Sequence, residues 1–280
     1  MDRCSRTVTI AAAVAVAVVV AGVLAPSASA ATVTLRAPFS GIGPGAVMTT
    51  RIDPRTTSEC TADFVFRGPG ALYVGFSAHC AGAGEADDLS GCTAPTLPLG
   101  TEVTISGRGG ERADGRLAYS SWATMQQHGE DDPALCRYND FALVAVDPAD
   151  TGLIDPSIPL LGGPTGLRTT SSLTPGEAVY SFQPNNGGSG VKSGRSVEDS
   201  GGGRMHQVVI TPPGVSGDSG SGFLDAEGRA VGVLSTQFLD RRHSNGVADL
   251  ALALAYADAY GGLGTVTLVP GIRPFRPGAG

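Results

Sequence analysis

The chain has 280 residues, a formal net charge of −7 at pH 7 and only 16% charged residues. No basic stripe interrupts that acidic balance, so nucleic acid is not expected as a partner. Glycine (41) and proline (19) are plentiful, aromatics are 6% of the chain, and the apolar residues fall in many short runs, which together point to an all-β fold.

The first thirty residues read as a signal peptide. Arg3 and Arg6 give a charged start, residues 10–24 are almost wholly apolar, and Ala28-Ser29-Ala30 offers a small-residue cleavage site before Ala31. The apolar stretch is short for a membrane span. Cleavage therefore predicts a secreted protein with no stable membrane association, an uncleaved anchor being the alternative. About 250 residues remain, enough for a full core. Residues 31–55 are too few for a large folding pro-domain and read as a short propeptide or as part of the mature fold.

Strands are expected at 64–66, 72–77, 102–105, 117–119 and 141–146. Residues 147–165 carry Pro148, Pro156, Pro159 and Pro164 and read as a crossing linker. A second group of strands is expected at 178–182, 207–210, 222–224 and 230–235. The glycine- and serine-rich stretch 184–203 reads as a mobile surface loop. Residues 247–260 alternate alanine with Leu250, Leu252, Leu254 and Tyr256. Strict period two suits a strand, whereas the alanine content suits a helix. The proline-rich end from Thr265 has no functional reading.

Chemistry concentrates in Gly217-Asp218-Ser219-Gly220-Ser221-Gly222. Glycines on both sides of a hydroxyl let the backbone turn tightly and let a carbonyl approach. Such a turn can aim the amides of Gly217 and Ser219 at one developing oxyanion. A serine needs a base, and the chain has four histidines. His128 lies in a polar stretch that reads as a solvated loop, His206 at the edge of an apolar strand, and His243 in a turn. His79 ends the apolar run 71–78 and precedes Cys80, which pins it, and it is the candidate base. The orienting acid should lead into a buried strand. Asp140, before Phe141-Ala142-Leu143-Val144, fits; Asp63, before Phe64-Val65-Phe66, is its rival.

Ser77-Ala78-His79-Cys80, Asn139-Asp140-Phe141-Ala142-Leu143-Val144 and the Ser219 block, in that order, resemble the three catalytic blocks of the chymotrypsin-like serine peptidases, and the bacterial secreted branch in particular. The resemblance spans roughly residues 56–260. It implies two six-stranded antiparallel β-barrels with the site in the cleft between them and a C-terminal helix: a first barrel at 56–150, a linker at 151–165, a second barrel with the helix at 166–260, and a tail at 261–280. Cys4 leaves with the signal, and four cysteines allow three pairings. The resemblance favours Cys60–Cys80, leaving Cys92–Cys136. It implies a monomeric endopeptidase acting on protein or peptide substrates, with His79 as base, Asp140 as its orienting acid, Ser219 as nucleophile, and the amides of Gly217 and Ser219 as the oxyanion hole. Ser235 matches the serine that supports the acid and lines the primary pocket. No cofactor is implied. No compact ligand cluster such as Cys-x-x-Cys suggests a metal.

The chain also departs from that pattern. Pro213 stands where trypsin-type members carry an acid, so cleavage after Arg or Lys is not expected. Thr236 and Gln237 replace an aromatic-glycine pair on the pocket wall, which mildly favours small or medium apolar residues. No Ile-Val-Gly-Gly-like activation site exists, and an arginine is the expected substitute partner for Asp218. Two other classes compete. A serine esterase could use Gly-Asp-Ser with the late tetrad Asp240-Arg241-Arg242-His243, although too little chain follows Ser219 for that architecture. A secreted pseudoprotease would act as a binding module, although all triad members are present.

Overall fold

The computed structural model describes residues 41–84, 90–170, 172–188, 190–238 and 243–278. The expected signal peptide and its cleavage site lie outside the described residues. Seven strands come first: β1 (Val47–Arg51), β2 (Thr57–Thr61), β3 (Val65–Gly68), β4 (Ala71–Phe76), β5 (Glu102–Ser106), β6 (Arg112–Ser120) and β7 (Ala142–Val146). Between β6 and β7 lie two helices, α1 (Ser121–His128) and α2 (Pro133–Tyr138). Then follow β8 (Gly166–Leu167), β9 (Ala178–Phe182), β10 (Val191–Ser200), β11 (Met205–Ile210), β12 (Gly222–Leu224), β13 (Arg229–Gln237), β14 (Asn245–Asp249), α3 (Leu250–Tyr260) and β15 (Thr267–Leu268).

Side-chain alternation sets the strands of the first barrel. Along β6, Ala113, Leu117 and Tyr119 are buried while Arg112, Asp114 and Arg116 face solvent, the period of two that a half-buried strand requires. The hydrogen-bonded order is β15-β3-β4-β7-β6-β5-β1-β2. Its two ends meet because β2 and β3 are one bent stretch of chain. β2 pairs with β1 and β3 with β4, and between them Ala62 N–H bonds Ala46 C=O while Asp63 N–H bonds Gly75 C=O. Counting β2 and β3 together gives six strands in a closed ring. Met48, Val74, Phe76, Ile105, Leu117 and Val144 fill it; burying an aliphatic or aromatic side chain of this size stabilises by about 1.5–3 kcal/mol.

The second barrel runs β12-β9-β10-β11-β14-β13, closed by the β12–β13 pairing, with β8 added parallel to β13. Val179, Val208, Ile210, Phe223, Val231 and Val247 form its core. A third cluster joins the barrels and takes in Phe64, Phe66, Tyr119, Phe141, Leu224 and Leu250. Asp249 starts α3 by accepting the Leu252 N–H at 2.7 Å, which settles the ambiguous 247–260 stretch as a short strand followed by the C-terminal helix.

Two expectations about the chain's organisation differ from the fold. Residues 191–200, read as part of a loop, form β10 between β9 and β11. Its glycine and serine content hides a strand held by ladder bonds on both sides. The polar stretch around His128 closes α1, and Asp132, read as solvated loop, caps α2 by accepting the Ala134 N–H at 2.8 Å. β1 lies within the 31–55 segment and carries the buried Met48, so the barrel needs this part of it. The tail is also structural. β15 pairs with β3, and Arg273 bonds Asp155 at 2.8 Å.

Candidate active site

His79 stands on the short 3-10 turn Ala78–Ala81 that follows β4. The Cys60–Cys80 disulfide ties that turn to the end of β2, and Cys92–Cys136 ties α2 to the segment before β5. These are the pairs the resemblance implied. Asp140 follows α2, and its carboxylate is buried with a side-chain exposure of 5%. It accepts three hydrogen bonds: the His79 backbone N–H at 2.9 Å, the His79 Nδ1–H at 2.7 Å, and the Ser235 Oγ–H at 2.6 Å. Two bonds to one residue fix both the turn and the ring. The tautomer that donates through Nδ1 leaves Nε2 as the acceptor.

The charges of this pair are coupled. Burial alone pushes the Asp140 carboxyl up, but the His79 charge and the bonds from His79 and Ser235 outweigh it and hold its pKa below the usual value. Burial alone pulls His79 down, but the charge of Asp140 and the bond to it outweigh that and hold its pKa above the usual value. The rival acid is elsewhere. Asp63 is fully buried, accepts the Phe64 N–H and touches no histidine. Burial raises its pKa well above the usual value, and it belongs to the core.

Ser219 sits in the turn that leads into β12 of the second barrel. The Thr61 N–H donates to Ser219 C=O at 2.8 Å, and Thr61 Oγ1–H donates to Gly217 C=O at 2.7 Å. Both carbonyls therefore face the first barrel and are fixed there. Gly220 has φ +92°, and a Cβ on it would lie 2.2 Å from the Thr61 oxygen, so only glycine fits. Gly217 also has φ +92°. Among the described residues, neither the Gly217 N–H nor the Ser219 N–H makes a hydrogen bond. Both residues line a cavity of about 330 Å³ together with His79. Ser219 Oγ and His79 Nε2 make no hydrogen bond to each other. Catalytic contacts of this kind are often long without substrate and tighten when it binds.

Asp218 is fully buried and, unlike Gly217 and Ser219, does not line the cavity. It accepts the Asn185 N–H at 2.9 Å and the Val215 N–H at 3.1 Å. Among the described residues, the cation that feels its charge is Lys192, the only lysine in the chain and 6% exposed. Sequence reading missed it because β10 looked like a loop. Burial lowers the Lys192 pKa, and the charge of Asp218 opposes that fall.

Ser235, Thr236 and Gln237 line a second cavity of about 170 Å³ with Asp140 and Trp122. Pro213 lines neither cavity; it leads into Gly214, whose N–H bonds Asn245 Oδ1 at 2.8 Å. Trp122, the single tryptophan, lines both cavities, and its ring lies 6.4 Å from that of His79. No sequence signal singled it out. His243 is exposed, and the rest of its Asp-x-x-His tetrad is outside the described residues.

Two antiparallel barrels, packed together through a shared apolar cluster and followed by a C-terminal helix, define the fold of the chymotrypsin-like serine peptidases. Solved structures bear this out. A thermostable serine protease from an extremophilic microorganism matches over 78% of this chain and 97% of its own, with a TM-score of 0.50 at 12% identity. A Glu endopeptidase solved in complex with MPD matches over 80% of this chain and 94% of its own, with a TM-score of 0.50 at 15% identity. No family model and no curated protein sequence matches the chain.

Proposed function

We propose that the chain is a secreted, monomeric serine endopeptidase that cleaves peptide bonds through an acyl-enzyme. One observation carries the reading: His79 gives Nδ1–H to a buried, ionised Asp140, keeps Nε2 unbonded, and shares a cavity with Ser219. Ser219 Oγ attacks the substrate carbonyl while Nε2 takes its proton. The unbonded amides of Gly217 and Ser219 hold the oxyanion; losing one such donor typically costs about 100- to 1000-fold. The tetrahedral intermediate collapses, Nε2 returns the proton to the departing amine, and the amine leaves. Water, deprotonated by His79, attacks the acyl carbonyl; the second intermediate collapses, His79 returns that proton to Ser219 Oγ, and the acid product leaves. Asp140 holds the ring and stabilises the imidazolium without becoming protonated. Apart from substrate and water, each step uses only side chains and amides of this chain. Paired disulfides agree with an oxidising destination outside the cell.

Casein hydrolysis by the purified protein tests the reading. Cleavage is expected, with Ser219→Ala lowering turnover roughly a million-fold. Hydrolysis of water-insoluble triglyceride but not casein would make it an esterase. Binding of protein without cleavage of either would make it a binding module.

A further inference from the structure

We propose that Glu59 selects substrates with a basic residue just beyond the cleaved bond, on the leaving-group side. The inference rests on the roles given above to Ser219 and His79. Two grooves adjoin members of the triad, and only one of them reaches Ser219. One is lined by Asp140 and Ser235 to Gln237, the other by His79, Ser219, Gly217, Ser216, Cys60 and Glu59. The departing amine takes its proton from His79, so it must lie where His79 is exposed, in the second groove. That groove adjoins a further cavity of about 400 Å³, which Thr57, Glu59, Cys60, Ser216 and Gly217 also line. The chain after the cleaved bond therefore has a continuous path across Glu59.

Glu59 is the only acid among the described residues lining either cavity, and no arginine or lysine lines them. It is exposed on β2, one residue before the disulfide that anchors the His79 turn, so its backbone is fixed while its carboxylate is free. It makes no hydrogen bond or ion pair among the described residues. The other groove differs: Arg137 lines it along with Asp140, whose carboxylate is already taken by His79 and Ser235. An unpaired carboxylate beside the leaving group attracts Arg or Lys there and repels Asp or Glu.

Matched internally quenched peptides test this. All share one acyl sequence, taken from the best-cleaved member of a peptide library, and carry Arg, Gln or Glu in the two positions after the cleaved bond. The wild type is expected to cleave the Arg peptide roughly threefold to fivefold faster in kcat/KM than the Gln peptide at low salt, as for an exposed ion pair. The gap should shrink in 0.5 M salt. Glu59→Gln should abolish the gap and Glu59→Lys should reverse it. Both variants should hydrolyse a small ester, which has no residues after the bond, at the wild-type rate. Equal rates for the Arg and Gln peptides with an active wild type, or a gap that survives Glu59→Gln, would overturn the role of Glu59 alone. A wild type whose Ser219 does not react with a fluorophosphonate would overturn the functional reading and this inference with it.

Discussion

Each barrel contains a histidine bonded to acids, and the two sites have opposite uses for the ring. In the second barrel His206 is 1% exposed and bonds a carboxylate at each nitrogen, Asp199 through Nδ1 at 2.7 Å and Asp249 through Nε2 at 3.0 Å. Two ionised carboxylates, one at each nitrogen, favour a doubly protonated ring. Burial works against that charge, but the two carboxylates outweigh it and raise the pKa. The acids are anchored in turn: Asp199 accepts the Leu173 N–H at 3.0 Å, and Asp249 caps α3. His206 therefore clamps β10, β11 and the start of α3 together. His79 bonds a single acid through one nitrogen and opens onto a cavity with the other. A histidine with both nitrogens filled can only hold; one with a nitrogen to spare can move a proton.

Breaking the acid at each site sharpens the contrast. Asp140→Asn keeps the shape but offers His79 an amide, which stabilises the wrong tautomer, and about a 10,000-fold fall in kcat is expected. In the wild type, activity should rise with pH as His79 loses its proton, with a midpoint above the ordinary histidine value of about 6.5. With the Asp140 charge gone, that midpoint should move down. A pH–rate profile of both proteins checks the fall and the shift.

Lys192→Met addresses the turn that carries the nucleophile. Without Lys192 the buried Asp218 keeps its two backbone bonds but loses an opposing charge, which is expected to loosen the turn that aims the Gly217 and Ser219 amides. Up to about 100-fold in kcat should be lost, the scale of one misplaced oxyanion donor. Steady-state kinetics should place the loss in kcat and not in KM.

His206→Gln should leave kcat/KM unchanged and lower stability by about 3 kcal/mol, since it strands the buried Asp249 and the half-buried Asp199. The pH dependence has a definite sign. A raised folded pKa gives stabilisation that is fully present below about pH 6.5 and lost as pH rises through the folded value. Thermal unfolding should therefore show the gap between wild type and variant widest in acid and narrowing as the solution becomes alkaline.

The same contrast explains what could be read along the chain. His79, Asp140 and Ser219 each stand in a short block where glycine, cysteine or a buried strand restricts the backbone, and such restriction is local and legible. The two barrels were legible for a similar reason, because apolar runs such as 141–146 mark the strands. His206 looked ordinary because its partners Asp199 and Asp249 come from separate strands that only the fold unites. Lys192 was hidden in a glycine- and serine-rich stretch whose strand character comes from ladder bonds on both sides. β1 and β15 are stabilised by pairing partners far along the chain, and β15 is too short to show a period. Helices α1 and α2 are short, and their polar ends resemble loop. Trp122 could not be placed near His79 until α1 was.

The most direct test of the account is covalent labelling with a fluorophosphonate, followed by peptide mapping across a pH series. The wild type should be modified at Ser219, at a rate that rises as His79 deprotonates, and His79→Gln should label far more slowly at every pH. Equal labelling of wild type and His79→Gln, or modification at some other residue while Ser219 stays free, would contradict it.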